Sequence, residues 1–165
     1  MHPHAELIRA FYAAFQRRDH AAMAAWYAPR ATFSDPVFPA LAGWQIGAMW
    51  RMLCERATDL EIELGTVVAD ASRGSAHWEA TYTFSATGRR VHNVIEASFQ
   101  FAGDVVQHHT DAFDLYAWTR QALGLKGVLL GWSAPVQKAI RSQAARGLAA
   151  FARTRGLNGG EATDR

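Results

Sequence analysis

Residues 27–36 read Y-A-P-R-A-T-F-S-D-P, and this stretch decides how the front of the chain is interpreted. The β-rich residues 32–34 predict a short strand that leads directly into Asp35. Pro36 restricts Asp35 to extended conformations, so its carboxylate is held at the edge of whatever the strand borders. Apolar neighbours such as Phe38 would raise the pKa of that carboxylate and suit it to proton transfer. Asp35 is equally placed to cap the following turn, and the local sequence leaves both roles open.

Helical patterns flank this strand on both sides. Residues 6–17 repeat apolar side chains, Tyr12 among them, at spacings of three and four, which predicts an amphipathic helix. Residues 21–27 predict a second, alanine-rich helix, and residues 43–57 predict a third with a wide apolar face that includes Trp50. The front of the chain is therefore expected to run helix, helix, strand, helix.

From Leu60 onward the spacing of apolar residues changes from about four to two. Four β-rich segments alternate in this way, with turn signals such as Thr87-Gly88 and Gly103-Asp104 between them. These segments cover residues 60–69, 77–85, 91–101 and 105–115. They predict a four-stranded antiparallel meander, and a sheet that must bury one face against helices indicates an α+β fold.

The amino-acid composition narrows the kinds of protein that this chain can be. The 165 residues fit one domain, and six Trp and nine Phe exceed what a minimal core needs, which indicates an aromatic-lined cavity. No apolar run is long enough to span a membrane and the first residues lack a signal-peptide pattern, so we expect a cytoplasmic protein without stable membrane insertion. A formal charge of +2 without a basic, aromatic-interleaved stripe argues against nucleic-acid binding.

The order of these segments resembles a known superfamily. Helix, Asp19, helix, Y-A-P-R-A-T-F-S-D-P, helix and a meander ending in H-H-T-D-A-F-D-L together resemble the nuclear transport factor 2-like fold, in its SnoaL-like polyketide cyclase and ketosteroid isomerase branches. The resemblance covers residues 6 to about 124, and it implies a cone in which three N-terminal helices and a curved, mainly antiparallel sheet enclose an apolar pocket. We accordingly expect a SnoaL-like domain over residues 1–126, an apolar loop and extra C-terminal helix over residues 127–155, and a disordered tail over residues 156–165.

The resemblance also implies roles for individual residues. In ketosteroid isomerases the proton-shuttling aspartate lies in a D-P pair after the first strand, which Asp35 matches. The positions that correspond to the two oxyanion donors of the isomerase are Phe11 and Ala97, and neither side chain can donate a hydrogen bond. In the polyketide cyclases the acid/base aspartate of the last strand precedes a Q-L-G-like turn, and Asp114 followed by Q-A-L-G is similar to that feature.

Alternation along the last strand adds a second catalytic candidate. In a strand without a bulge, His108 and Asp114 share one face while His109 and Asp111 share the other. We therefore expect His108 and Asp114 on the cavity wall with Asp35, at different ends of a ligand unless the strand bends. Because alternation divides the two histidines and two aspartates between faces, we expect no metal site, and the resemblance implies no cofactor.

The remaining polar and aromatic candidates are assigned to the ligand. Alternation turns Trp78, Tyr82 and Asn93 toward the cavity or core, with Asn93 either a pocket donor or a structural bridge. The expected ligand-binding residues are Tyr12, Trp50, Trp78, Tyr82, Asn93 and Trp118.

Three functions stay open at this point. The first is a cofactor-independent acid/base isomerase or cyclase acting on a small hydrophobic molecule, and the second is a non-catalytic ligand-binding or scaffold domain. The third is an epoxide hydrolase, ranked lower because that chemistry in this fold uses an Asp-Arg-Asp set and no pocket arginine can be identified from the sequence.

Two surfaces are expected to make further contacts. We expect a homodimer through the outer face of the sheet that bears His77, Glu79, Thr81 and Thr83. Residues 127–132 are expected to cover one end of the cone, and the basic helix over residues 134–153 to pack on the domain or on its dimer mate. Contact of this helix with an acidic membrane surface is the alternative.

Overall fold

Six helices and six strands occupy residues 1–157, the part of the chain that the computed structural model describes. The helices are α1 (Pro3–Gln16), α2 (His20–Ala24), α3 (Trp44–Arg56), α4 (Leu115–Leu123), α5 (Leu125–Leu130) and α6 (Ala134–Thr154). The strands are β1 (Tyr27–Ser34), β2 (Leu41–Ala42), β3 (Glu61–Ala69), β4 (Arg73–Phe84), β5 (Arg89–Ala102) and β6 (Val105–Ala112).

The strands form one sheet in the order β2-β1-β6-β5-β4-β3. β3 to β6 are the predicted antiparallel meander, and β1 lies parallel to β6 on its other side. The predicted α+β fold with a mainly antiparallel sheet and an extra C-terminal helix is confirmed. The pairing of β1 with β6 matches Ser34 to Thr110, so Asp35, the residue after β1, lies near the end of β6.

The core lies between the sheet and the helices α1 and α3. α1 buries Ile8, Phe11, Tyr12 and Phe15, which recur at helical spacing on the face that packs on β3 and β4. α3 contributes Trp50, which is 1% exposed and meets the Phe15 ring edge to face. Aromatic side chains are therefore prominent in the core under the sheet.

A bulge in β6 changes which of its residues face the core. Gln100 of β5 pairs with His108 while the next residue, Phe101, pairs with Val106, so Gln107 is an extra residue without an opposite partner. Val106 and His109 are therefore both buried, although an unbroken strand would turn two residues three positions apart to opposite faces. The residues after the bulge therefore face the side of the sheet opposite to the one that regular alternation, counted from Val106, would give them.

The extra helix α6 packs on the domain, as the sequence predicts. Leu148 and Phe151 are buried, the Arg141 Nε donates a hydrogen bond of 2.9 Å to the Pro36 carbonyl, and Arg155 pairs with Glu55 of α3 at 2.7 Å. No helix within residues 1–157 is long and apolar enough to cross a membrane.

The segment before α6 differs from the prediction in two ways. It is the helix α5 rather than a loop, and Val128, Leu129, Leu130 and Trp132 are exposed rather than covering one end of the sheet. The expected disordered tail over residues 156–165 falls, beyond residue 157, outside the described residues.

Candidate acid/base site

A cavity of about 290 Å³ lies under the sheet, close to the lower end of the range for small-molecule sites, roughly 300–1,000 Å³. Its wall is mainly apolar and aromatic, with residues from α1, α3, β4, β5 and α4. The apolar lining includes Phe15, Phe38, Met49, Trp50, Trp78, Ile95, Phe113 and Trp118. Two carboxylates, Asp35 and Asp111, line the same space together with the polar side chains of Tyr82 and Asn93.

Asp35 combines the two roles that its sequence leaves open. Its Oδ1 accepts hydrogen bonds from the backbone N–H groups of Val37 at 2.7 Å and Phe38 at 2.6 Å, so the carboxylate closes the turn after β1. The carboxylate also lines the cavity. The pKa of Asp35 is raised from its ordinary value of 3.8 to about 6, mainly by burial. The two backbone hydrogen bonds oppose this rise, and the nearby charge of Asp111 adds to it.

A pKa of about 6 gives Asp35 the property that an acid/base catalyst needs. Near neutral pH the group is mainly a carboxylate that accepts a proton, and its conjugate acid is weak enough to hold that proton until it is returned. The turn hydrogen bonds fix the carboxylate in one orientation, so it does not need to reorganise during transfer.

Asp111 is the second carboxylate, and a chain of hydrogen bonds supports it. Asp111 is 4% exposed, and its Oδ1 lies 2.9 Å from Nε2 of His109. The Nδ1 of His109 lies 2.7 Å from the Tyr27 hydroxyl, which accepts a hydrogen bond of 3.0 Å from Nε1 of Trp50. Four side chains from β1, α3 and β6 are thus linked beneath the cavity.

The donor and the acceptor of each hydrogen bond in this series are fixed when Asp111 is a carboxylate and His109 is neutral. The carboxylate only accepts, so Nε2 of His109 carries the proton and Nδ1 accepts. The Tyr27 hydroxyl must then donate to Nδ1, and its oxygen accepts from Trp50, which can only donate. Burial raises the pKa of Tyr27, which keeps its hydroxyl protonated for this role.

Tyr82 presents an unused donor to the same cavity. Its hydroxyl oxygen accepts a hydrogen bond of 2.8 Å from Nε1 of Trp118, and the hydroxyl hydrogen has no acceptor within residues 1–157. Burial raises the pKa of Tyr82, and the charge of Asp35 also raises it, so the hydroxyl stays neutral. The amide of Asn93 likewise lines the cavity and makes no side-chain hydrogen bond in the described part of the chain.

The SnoaL-like domain model matches residues 8–118, two thirds of the chain. The chain belongs to the SnoaL-like family. This membership places it in the nuclear transport factor 2-like superfamily, as the sequence predicts. No curated protein matches the chain in sequence.

The solved structures that share the fold of this SnoaL-like domain are described as several different kinds of protein. One is a protein with a ketosteroid isomerase-like fold from Catenulispora acidiphila in complex with trimethylamine (14% identity, TM-score 0.65, 78% of this chain and 97% of that one). A second is an LEH-like epoxide hydrolase of M. tuberculosis (16% identity, TM-score 0.62, 76% of this chain and 92% of that one). A third is a putative polyketide cyclase of Xanthomonas campestris (22% identity, TM-score 0.59, 73% of this chain and 97% of that one). At these identities the likeness establishes the fold and leaves the reaction open.

The SnoaL-like cavity does not contain His108 or Asp114, so their predicted placement is wrong. The bulge at Gln107 turns His108 outward, where it is exposed and its Nδ1 lies 2.7 Å from the Thr32 hydroxyl. Asp114 follows the end of β6 and caps α4 through a 3.0 Å hydrogen bond from the Ala117 N–H. Both side chains have structural partners outside the cavity.

Tyr12 is also misplaced in the prediction of ligand-binding residues. α1 packs it into the core with no exposed surface, its ring 5.5 Å from that of Trp78, and it does not line the cavity. Its buried hydroxyl has no hydrogen-bond partner within residues 1–157. The other five predicted ligand-binding residues all line the cavity, and these are Trp50, Trp78, Tyr82, Asn93 and Trp118. Their binding role stays a prediction.

His109 and Asp111 are the site residues that sequence reasoning missed. The sequence signal for them is Phe113, which lies two residues after Asp111 and so shares its face in a regular strand. Because an apolar side chain marks the inward face, Phe113 indicates that His109 and Asp111 face inward.

Within residues 1–157 no group of three or more His, Cys, Asp or Glu side chains is arranged to hold a metal ion.

Proposed function

We propose that this SnoaL-like protein binds a small hydrophobic molecule that carries a carbonyl group and transfers a proton at the adjacent carbon, without a cofactor, as an isomerase or cyclase does. The observation that carries the proposal is Asp35, a turn-fixed carboxylate with a pKa raised to about 6 in the wall of an apolar cavity. A positioned acid/base group of this kind contributes roughly 10²–10⁴-fold to a rate.

In the proposed reaction Asp35 removes a proton from the carbon next to the carbonyl, and the carbonyl oxygen gains negative charge. The Tyr82 hydroxyl hydrogen is free to bond that oxygen, and Trp118 polarises the hydroxyl by donating to it. In an isomerisation, protonated Asp35 returns the proton to another carbon of the ligand. In a cyclisation, the enolate carbon attacks a second carbonyl of the same molecule, and the resulting alkoxide takes back the proton from protonated Asp35, which restores the carboxylate.

Asp111 and His109 supply the second acid/base pair in this proposal. The chain from Trp50 through Tyr27 holds the proton of His109 on Nε2, facing Asp111. The hydrogen bond from Nε2 of His109 orients the Asp111 carboxylate, which lines the cavity and can accept a hydrogen bond or a proton from the ligand.

A ligand-binding protein without catalysis is the second candidate. Phe11 and Ala97 occupy the positions at which the isomerases carry their oxyanion donors, and both are buried and apolar. An epoxide hydrolase ranks third. Arg56 is the only basic residue that lines the cavity in the described part of the chain, and its guanidinium lies over the Phe151 ring, 5.4 Å from the ring centre, rather than against Asp35 or Asp111.

Hydrogen–deuterium exchange at carbon tests the proposal without knowledge of the natural substrate. Small apolar ketones such as 2-tetralone are first screened for binding by native mass spectrometry, and their α-carbon exchange in D₂O is then followed by NMR with and without the protein. We expect the wild type to accelerate exchange of a bound ketone and Asp35→Asn to lower the rate at least 100-fold with unchanged binding.

The controls separate the three candidates. Asp114→Asn alters a carboxylate outside the cavity and should retain the exchange activity, whereas Tyr82→Phe should lose part of it. Binding of ketones without accelerated exchange would leave the ligand-binding candidate. Hydrolysis of styrene oxide in the absence of exchange would favour the epoxide hydrolase instead.

Assembly and location are part of the same proposal. We propose a cytoplasmic homodimer formed through the outer sheet face, where Nε2 of His77 lies 3.1 Å from a carboxylate oxygen of Glu79. Thr83, which was expected on the same face, lines the cavity instead. Sedimentation equilibrium of the wild type and of Thr81→Arg tests this assembly. A monomeric wild type at micromolar concentration would contradict it.

A further inference from the structure

The helix α5 packs with its small residues inward and its large apolar residues outward, the reverse of an ordinary surface helix. Gly127 and Gly131 are buried against Thr119 of α4, so closely that a Cβ at Gly127 would lie 1.9 Å from the Thr119 carbonyl oxygen. Leu125 is 73% exposed and Leu129 is 59% exposed. α5 is therefore held in place by contacts that leave its apolar face in solvent.

These exposed side chains form one patch. Ten large hydrophobic residues are exposed in the described part of the chain, and five of them lie within residues 125–132. The five are Leu125, Val128, Leu129, Leu130 and Trp132, called the α5 patch below. The Nε1 of Trp132 donates to the Leu129 carbonyl at 2.9 Å, which holds the indole at the surface beside the helix. A cluster of this kind on a surface marks an interaction site.

The segment of the chain that carries the α5 patch is basic in sequence. Residues 115–160 contain seven Lys and Arg and no Asp or Glu, while the 114 residues before them carry nine basic and thirteen acidic side chains. Lys126 lies within α5 and is exposed, and Arg120 lies over the Tyr116 ring, whose hydroxyl bonds the Val128 carbonyl of α5. The occupant of the patch must therefore be apolar at its centre and anionic around it.

We propose that the α5 patch docks the protein on the surface of an anionic lipid membrane, with the leucines and Trp132 in the headgroup region and the basic side chains on lipid phosphates. A second copy fits less well, because a twofold contact through this patch would bring Lys126 and its symmetry mate, both cationic, into one interface. An acidic peptide helix needs a groove, whereas these side chains stand out from the surface.

Membrane contact through residues 134–153 was the alternative interpretation of the sequence, and the proposed docking uses α5 instead. α6 uses Leu148 and Phe151 to pack on the domain, so its apolar face is already covered. Interfacial docking through α5 needs no membrane-spanning helix.

Vesicle flotation of the full chain tests the proposal. Vesicles of phosphatidylcholine alone are compared with vesicles that also contain phosphatidylglycerol. We expect binding to the anionic vesicles only, weakened at least tenfold by Leu129→Glu and by raised salt. The matched control is Val68→Glu, which places the same charge at a 62% exposed apolar residue of β3, far along the chain from the patch, and should bind like the wild type.

Two further measurements make each outcome decisive. Circular dichroism and thermal melting establish that both Glu variants are folded, and Lys126→Glu, which leaves every apolar residue in place, should also weaken binding. Absence of wild-type binding to anionic vesicles would overturn the proposal, as would equal loss in Val68→Glu. A dimer that Leu129→Glu dissociates would overturn it in favour of a second copy as the occupant.

Discussion

Replacing Asp35 by Asn should stabilise the protein at high pH and not at low pH. A carboxyl whose pKa is raised on folding contributes stability below its unfolded value of 3.8, and this contribution is lost as the pH rises through about 6. The difference of about two pKa units corresponds to roughly 3 kcal/mol at 1.36 kcal/mol per unit. The amide oxygen of Asn can still accept from Val37 and Phe38, so the turn is retained.

The assay is thermal unfolding of the wild type and Asp35→Asn at pH 4 and pH 8. The gain of the variant at pH 8, minus its gain or loss at pH 4, should be about 2.5 kcal/mol, because the unfolded carboxyl is already partly ionised at pH 4. This corresponds to roughly 5–10 °C in Tm for a chain of this length. Taking the difference between the two pH values cancels any effect of lost contacts. Asp104→Asn, at a side chain that is 91% exposed, is the matched control. If Asp35→Asn changes Tm equally at both pH values, the carboxylate is not desolvated and the reasoning fails.

Three further substitutions test the packing around the site. Tyr27→Phe would leave Trp50 Nε1 and His109 Nδ1 buried without their partner, at about 1–3 kcal/mol for each group, and urea unfolding that shows no loss would contradict the hydrogen-bond chain. Gly127→Ala would gain up to about 1 kcal/mol in helix propensity, but its Cβ would meet a backbone oxygen of α4 at 1.9 Å, so a lower Tm is expected and a higher one would show that α5 is not clamped. Phe151→Ala should lower the free energy of unfolding by about 3–5 kcal/mol, and a loss under 1 kcal/mol would mean that α6 is an independent appendage.

Sequence reasoning placed residues correctly where the strands are regular. β4 and β5 pair without a break from Arg73 to Phe84, so period-two alternation holds over the whole ladder. The aromatic Trp78 and Tyr82 mark the inward face of β4. Asn93 is assigned inward because it alternates in step with the apolar residues of its own strand, and the ladder pairs it with Ala80 of the same face. Local pattern and tertiary structure agree here because nothing interrupts the register.

The same reasoning failed on β6 because one residue shifted the register. Neither the residue type of Gln107 nor a turn signal near it reveals a bulge in the sequence. The position of the bulge is determined by the pairing of β6 with the strands on both of its sides. His108 was therefore assigned the inward orientation that His109 has. Asp114 failed for another reason, since the start of α4 competes with the end of the strand for the same residues, and an aspartate before a helix is a strong N-cap.

The central claim is that the Asp35 carboxylate lies in an apolar cavity with a pKa suited to proton transfer. A ¹³C NMR titration of the aspartate side-chain carboxyl groups measures this directly and requires no substrate, with Asp35→Asn to assign the signal. We predict one carboxyl that titrates near pH 6 in the wild type and is missing from the variant. An Asp35 carboxyl that titrates at its ordinary value of 3.8 or below would contradict the account.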